Sequence, residues 1–211
     1  MSRPSHGDED GGRDMTRSVL LGSASPRRRR LLESAGWRVE QVAPAIDDGV
    51  IRLSPSSPAC TVEALAWFKS AQILDVDATH VASIAADTVC VVGDAIVGKP
   101  GDRSEAEGML VRMLGRRHRT ITGVCIRNRR GRRLLFSDVA EVRMGDLGPD
   151  RIEAYLDSGE WVGKAGGYNL EDRIADGWPI ECDGDPSTVM GLPIRRLVPL
   201  LEALAASEEP S

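Results

Sequence analysis

The chain has 211 residues, of which 41% are hydrophobic and 28% charged, as expected for a globular protein long enough to bury a substantial core. Its net charge of −5 argues against binding nucleic acid by general charge attraction, and no apolar stretch reaches the length of a membrane span. Residues 1–17 are polar without the apolar segment of a signal peptide, and the four cysteines show no zinc-ligand spacing. We therefore expect a disordered tail over 1–17 and a cytoplasmic protein.

The first half of the chain alternates short apolar runs with helical patterns. Ser25 is the expected N-cap of the first helix and Pro26 its first residue. Asp87 is expected at the end of a buried strand, where α/β proteins commonly place their chemistry. The predicted elements are, in order, a strand over 18–22, a helix over 26–35, a strand over 38–43, a loop over 47–57, a helix over 58–74 and a strand over 81–86.

The second half predicts hairpins and further helices. Ser104 and Glu107 suggest a capping box that opens a helix ending at Gly115. The mixture of strand–helix units and hairpins predicts a single α/β domain over 18–206 with a mixed sheet, followed by a frayed tail over 207–211. The remaining predicted elements are a hairpin over 89–97, strands over 119–127 and 132–143, a helix over 149–159, a loop with short strands over 163–186 and a helix over 192–206.

Lysine is rare in this chain: only Lys69, Lys99 and Lys164 are found among the 27 basic residues. A position that stays lysine in so arginine-rich a sequence is a candidate for a compact ammonium with three donors. Lys99 and Lys164 lie on glycine-containing turns, which favours contact with phosphate oxygens. For Lys69, on a predicted helix, a structural role is an equal alternative.

Four consecutive arginines, residues 27–30, occupy the first turns of the helix that starts at Pro26. A helix N-terminus is itself positive, and each misplaced cation costs about 0.3–1 kcal/mol, so a bound anion would remove the conflict. We predict phosphate contacts for Arg27 and Arg28, with Ser23 beside them, and solvent exposure for Arg29 and Arg30.

Acidic residues supply the candidate metal ligands. Asp87, followed by Thr88, and the pair Asp47-Asp48 could together bind a divalent cation that also uses substrate phosphate oxygens. A turn-capping aspartate and a solvated acidic loop are the alternatives. His118 could act as a catalytic base, but a structural histidine is the better interpretation.

Six short segments of the chain form an ordered set. They are Leu20-Leu21-Gly22-Ser23-Ala24-Ser25-Pro26-Arg27-Arg28, Ala86-Asp87-Thr88-Val89, Gly98-Lys99-Pro100, Thr122-Gly123-Val124, Gly163-Lys164-Ala165-Gly166-Gly167-Tyr168 and Gly191-Leu192-Pro193. Taken together, these segments closely resemble the Maf family. They fall in the family's order over about residues 18–204, and as an ordered set they are specific.

The resemblance implies an enzyme that cleaves a nucleoside triphosphate to the monophosphate and pyrophosphate with a divalent cation, Mg²⁺ or Mn²⁺. It also implies an elongated α/β domain with a mixed sheet and a central cleft, similar to inosine triphosphatases, and a possible homodimer. By position, Asp87 matches the family's proton acceptor, and Asp87 and Asp48 are the expected metal ligands. The three lysines match phosphate-side lysines, and we assign Lys99 with Asp87 to catalysis.

The resemblance leaves the substrate open. Arg27, Thr88 and Glu171 match positions tied to substrate choice, but members that act on dTTP and UTP usually have glutamine where Glu171 stands. A carboxylate only accepts hydrogen bonds, which suits a donor-rich base edge. The expectation is a pyrophosphatase that still accepts dTTP and UTP, or modified nucleotides. The alternatives are a 7-methyl-GTP pyrophosphatase and a nucleotide-binding regulator of cell division.

Overall fold

The computed structural model describes residues 17–43, 57–73 and 79–207. The predicted loop with Asp47 and Asp48, residues 1–16 of the expected N-terminal tail and residues 208–211 of the C-terminal tail lie outside these ranges. Within them, no helix is long and apolar enough to cross a membrane.

The chain folds as a mixed α/β structure around one seven-stranded sheet, in the order β2-β1-β3-β5-β6-β7 with β4 paired to β3. β1, β2 and β3 are parallel to one another, whereas all other pairings are antiparallel. The strands are β1 Ser18–Leu21, β2 Arg38–Gln41, β3 Ala82–Val92, β4 Ala95–Val97, β5 Arg116–Asn128, β6 Arg133–Met144 and β7 Ile180–Asp183. The helices are α1 Pro26–Ser34, α2 Pro58–Ala71, α3 Arg103–Met113, α4 Pro149–Ser158, α5 Leu170–Ala175, α6 Pro186–Val189 and α7 Ile194–Ala206.

Two apolar cores lie at opposite ends of the long β5–β6 ribbon. One surrounds Leu32 of α1, Phe136 of β6 and Leu197 of α7, and the other surrounds Leu110 of α3 and Met144 of β6. The stretch of sheet between them carries polar side chains. The fold therefore places its polar residues between two hydrophobic cores, where a ligand can reach them.

Strand β3 is longer than predicted. The strand predicted over 81–86 and the first strand of the predicted hairpin are one continuous element, so Asp87 lies within a strand and not at its end. β1 pairs with β3 only as far as Ile84, and β4 pairs with β3 only from Cys90 onwards. Residues 85–89 thus have no neighbouring strand on that edge within the described part of the chain.

Other differences are local. The N-cap of α3 is Asp102, which accepts from the backbone N–H of Glu105, and not Ser104, since an aspartate in extended backbone caps equally well. Segment 163–186, predicted to be mostly loop with short strands, contains the short strand β7, but it also holds a 3₁₀ turn and helix α5, which were not predicted. The start of α1 at Pro26 and the end of α4 at Gly159 are confirmed.

Helix α2 lies directly on the sheet over Gly123 of β5. A Cβ atom at Gly123 would come within 2.4 Å of the carbonyl carbon and oxygen of Val62 in α2. Gly123 is also the sheet neighbour of Asp87. The absence of a side chain at this position lets α2 approach the strand that carries the central aspartate.

Candidate active site

The open edge of β3 faces a cleft of about 1150 Å³. Elements from both ends of the fold contribute to its walls, and residues 85–89 lie at the interruption between β1 and β4. Its lining includes predicted site residues from four separate segments of the chain, namely Ser23, Arg27, Arg28, Lys69, Asp87, Thr88 and Lys99.

Asp87 is the acidic centre of this cleft. Its carboxylate is 9% exposed and accepts a hydrogen bond from Lys69 Nζ at 2.6 Å. Lys69 reaches it from α2, the helix that packs over Gly123. A carboxylate held by an ammonium at this distance has a fixed orientation in the cleft, which a proton acceptor requires.

Arg28 ties three parts of the fold together. Its Nε donates to the carbonyl of Gly191 at 2.8 Å and its Nη1 to the carbonyl of Ala86 at 2.8 Å and to Ser23 Oγ at 3.2 Å. Its Nη2 donates to Thr88 Oγ1 at 3.2 Å. Four of its five N–H groups are thus bound to protein acceptors. Arg28 therefore acts as a structural brace: it donates to the carbonyl of Ala86, which among the described residues has no neighbouring strand to donate to it on that edge of β3. These hydrogen bonds give no support to the predicted contact between Arg28 and phosphate.

The other arginines of α1 divide between cleft and surface. Arg27 is half-buried and lines the cleft, as does the exposed Arg30. Arg29 is exposed and pairs with Glu33 at 2.6 Å. Ser25 caps the helix through the backbone N–H of Arg28. The cationic wall at the helix N-terminus therefore consists of Arg27 and Arg30.

The loops that carry Lys99 and Lys164 lie side by side, because the N–H of Gly166 donates to the carbonyl of Gly98 at 2.9 Å. Lys99 is exposed and lines the cleft. Lys164 is half-buried, and burial lowers its pKa, while the negative charge of Asp172 acts in the opposite direction. Its neighbours in sequence line the cleft, but its own side chain is not part of the lining.

Glu171 and Asp172 differ in where α5 places them. Glu171 is exposed and does not line the cleft, whereas Asp172 and Asn169 do. The Asn169 amide donates to the carboxylate of Asp172. Sequence reasoning missed this pair, although an asparagine at an N-cap followed three residues later by an acid is a recognisable local pattern.

Helix α5 is held in place by Arg173. This guanidinium is buried, forms ion pairs with Glu160 and Asp176, and lies 4.5 Å from the ring centroid of Tyr155 and 5.4 Å from that of Trp178. The helix, and with it the cleft-facing acid, is therefore fixed against the second core.

His118 is structural. It is buried, and its Nε2 lies 2.7 Å from the hydroxyl of Tyr168. Burial lowers the pKa of His118 to about 4, so the ring is neutral at physiological pH. Because it does not line the cleft, it is not placed to act on a ligand there.

A divalent cation would find a limited set of protein ligands. No group of three or more His, Cys, Asp or Glu side chains in the described ranges is placed to hold a metal ion. Asp87 is a hard oxygen donor in the cleft, while Asp48 lies outside those ranges. Since Mg²⁺ usually keeps waters and substrate phosphate oxygens beside one or two carboxylates, the donor set fits such an ion.

Comparison with known proteins identifies the family of this chain. A family model described as Maf-like protein matches residues 18–204. The dTTP/UTP pyrophosphatase of Cereibacter sphaeroides is 39% identical over 188 residues, which are 88% of this chain and 94% of that protein. The dTTP/UTP pyrophosphatase of Symbiobacterium thermophilum is 36% identical over 183 residues, 87% and 92% of the two chains. Among solved structures, the Staphylococcus aureus Ham1 protein aligns with 92% of this chain and all of its own, at 13% identity and a TM-score of 0.47.

Proposed function

Since this chain belongs to the Maf family, we propose that it hydrolyses nucleoside triphosphates to the monophosphate and pyrophosphate, with dTTP and UTP among its substrates. The observation that carries the proposal is the Asp87–Lys69 pair at the open edge of β3, inside a cleft walled by Arg27 and Lys99. The relatives named dTTP/UTP pyrophosphatase support the substrate class.

The proposed chemistry uses Asp87 as the proton acceptor. A water oxygen attacks the α-phosphorus, its proton passes to the carboxylate, and the bond from the α-phosphorus to the bridging oxygen breaks as pyrophosphate leaves. Lys69 orients the carboxylate at 2.6 Å throughout. The low exposure of Asp87 limits competing solvent around the reacting groups.

The cationic residues would stabilise the charge that moves to the leaving group. Arg27 and Arg30 at the N-terminus of α1, and Lys99 on the loop between β4 and α3, are cleft cations placed to contact phosphate oxygens. Lys164 would join them by turning its side chain towards the cleft, which Gly163 and Ala165 on either side of it line. In this proposal Arg28 acts indirectly, by holding Ser23 and Thr88 in position.

We also propose that Asp87 and Asp48 hold a divalent cation, Mg²⁺ or Mn²⁺, together with the substrate phosphates. When bound, such an ion neutralises phosphate charge and helps to orient the triphosphate.

Hydrolysis in ¹⁸O-labelled water tests the proposal. The purified protein is given dTTP, UTP, GTP and 7-methyl-GTP, and the products are identified by mass spectrometry. We expect monophosphate and pyrophosphate from dTTP and UTP, with the label in the monophosphate, because the attack is at the α-phosphorus. Label in pyrophosphate, or release of inorganic phosphate as the first product, would contradict it.

A further inference from the structure

A chain of hydrogen bonds runs from the cleft into the sheet through three side chains. Arg28 Nη2 donates to Thr88 Oγ1 at 3.2 Å, Thr88 Oγ1 lies 2.9 Å from Thr122 Oγ1, and Thr122 Oγ1 donates to the carbonyl of Thr188 at 2.7 Å. Thr88 and Thr122 are direct neighbours across β3 and β5. Thr122 is fully buried, whereas Thr88 lines the cleft.

The directions of these bonds follow from counting hydrogens. A carbonyl can only accept, so the single hydrogen of the Thr122 hydroxyl is committed to Thr188. Thr88 must therefore donate in its contact with Thr122. A guanidinium can only donate, so Thr88 accepts from Arg28. The hydrogen and one lone pair of the Thr88 hydroxyl are then both engaged. Only its second lone pair remains for a ligand, so Thr88 can accept a hydrogen bond from the ligand but cannot donate one.

We infer that Thr122 is a positioning residue that makes Thr88 an acceptor-only contact for the nucleoside part of the substrate. The inference rests on the proposed function for the nature of the ligand. An acceptor repels phosphate oxygens and binds an N–H or O–H group. The matching chemistry in a pyrimidine nucleotide is the N3–H of uracil or thymine, or a sugar hydroxyl, whereas cytosine carries an acceptor at N3.

The decisive variants change the direction of the Thr88 hydroxyl with little change of shape. Thr122→Val removes the acceptor that takes the hydrogen of Thr88, and Thr122→Ser retains it. Thr188→Val is the matched control: Thr188 is equally buried and its side chain donates to Asp138 at 2.5 Å, but its backbone carbonyl remains available to Thr122. Thr88→Val, at a partly exposed site, removes the contact itself and covers the case in which Thr122→Val does not fold.

The readout is the dissociation constant of non-hydrolysable α,β-methylene triphosphates, so that it does not depend on turnover. The UTP analogue is compared with the CTP analogue, which reverses hydrogen bonding at N3, and with the 2′,3′-dideoxy-UTP analogue, which lacks both sugar hydroxyls. We expect the wild type to prefer the UTP analogue by up to about tenfold in one of the two comparisons, the value of one neutral hydrogen bond. A preference over the CTP analogue would show that Thr88 contacts the N3–H of the base, and a preference over the dideoxy analogue would show that it contacts a sugar hydroxyl.

Thr122→Val and Thr88→Val should both reduce this preference at least about threefold, since most of one hydrogen bond is lost. Thr122→Ser and Thr188→Val should retain it. The inference is overturned if the wild type shows no preference, if Thr88→Val retains it, if a folded Thr122→Val retains it, or if Thr188→Val loses it to the same extent. If the wild type binds these analogues but hydrolyses no triphosphate, the proposed function is contradicted. The role of Thr122 is then still decided by the measured dissociation constants.

Discussion

At the scale of single residues, the cleft depends on one acid and a few cations with distinct surroundings. Asp87 is nearly buried and paired with Lys69, while Lys99 extends from an exposed loop. A fixed carboxylate suits proton transfer, and a mobile ammonium suits a leaving group that carries several negative oxygens. These differences lead to separate expectations for the acid and for the lysines.

For the acid, we expect Asp87→Asn to reduce kcat by at least about a hundredfold, the low end for loss of a general base. The amide keeps the size and an acceptor for Lys69, so the protein should remain folded, with a lower melting temperature because the Lys69 charge loses its counter-charge. Asp94→Asn on the exposed β3–β4 turn is the control and should retain full activity. Normal turnover by a folded Asp87→Asn protein would show that another group accepts the proton.

For the lysines, we expect Lys99→Arg and Lys164→Arg each to lower kcat/KM at least about tenfold, the value of a charged hydrogen bond that a planar guanidinium cannot reproduce. The reverse exchange at an exposed turn, Arg130→Lys, should have no effect. Steady-state kinetics with dTTP or UTP measures all three. If both lysine variants behave like the wild type, the retention of lysine in this chain has no catalytic meaning.

At the scale of elements, the side chain of Arg28 connects α1 to the sheet in the part of β3 where, within the described ranges, backbone pairing with a neighbouring strand is missing on one edge. Arg28 bonds the carbonyls of Ala86 and Gly191, and Gly191 is packed so closely that a Cβ there would lie 3.1 Å from Arg28 Nε. The brace therefore joins α1, β3 and the turn before α7.

We expect Arg28→Lys to lower the free energy of unfolding by on the order of 2 kcal/mol, because one ammonium cannot serve four acceptors spread over this distance. Arg29→Lys, one position along the same helix but exposed and paired only with Glu33, should change it by less than about 0.5 kcal/mol. Urea denaturation followed by circular dichroism compares them. Equal stabilities would show that the guanidinium bonds contribute little.

Helix α5 offers a second test, because two adjacent acids face different surroundings. Asp172 lines the cleft and Glu171 is exposed outside it. We expect Asp172→Asn to change the kcat/KM ratio of UTP to 7-methyl-GTP at least about threefold, through loss of charge near the ligand. Glu171→Gln should leave that ratio unchanged. The opposite result would mean that α5 turns on substrate binding and that Glu171 contacts the base.

Helix α1 and strand β3 show what could be predicted from the sequence and what could not. The cap at Ser25 and the start of α1 follow from local chemistry. The rarity of lysine marked Lys69 as one of three candidates with a structural role as an equal alternative, and in the structure its ammonium donates to Asp87. The length of β3 was not predictable, because the polar Asp87-Thr88 step interrupts an apolar run, and the strand continues through it by pairing with the distant β5. The hydrogen bonds of Arg28 were likewise not predictable, because the carbonyl groups of Ala86 and Gly191 that accept them lie more than 50 residues away in the sequence.

At the scale of the whole molecule, stability is linked to pH through the second core. His118 is neutral in the folded state, with a pKa lowered by burial to about 4, against 6.5 for the exposed ring. Between these values the unfolded chain binds a proton that the folded chain does not. The free energy of unfolding should therefore fall as the pH drops from 6.5 towards 4, by up to about 1.4 kcal/mol per pH unit.

Comparison with His118→Gln isolates this contribution, since glutamine does not titrate and the carboxylates are common to both proteins. Denaturation midpoints at pH 7, 6 and 5 should fall more steeply for the wild type than for the variant. Parallel profiles would show that the buried ring protonates in the folded state without cost.

The close approach of α2 to Gly123 has a consequence for how this protein can evolve. A single missing side chain lets the helix lie on the sheet, and the same helix delivers Lys69 to the aspartate that neighbours that glycine. Any larger residue at position 123 would displace the helix and lengthen the ion pair in one step. The Asp87–Lys69 pair and the packing of α2 on the sheet therefore cannot change independently of each other. We expect related proteins to differ in the loops around the cleft and to keep glycine at position 123.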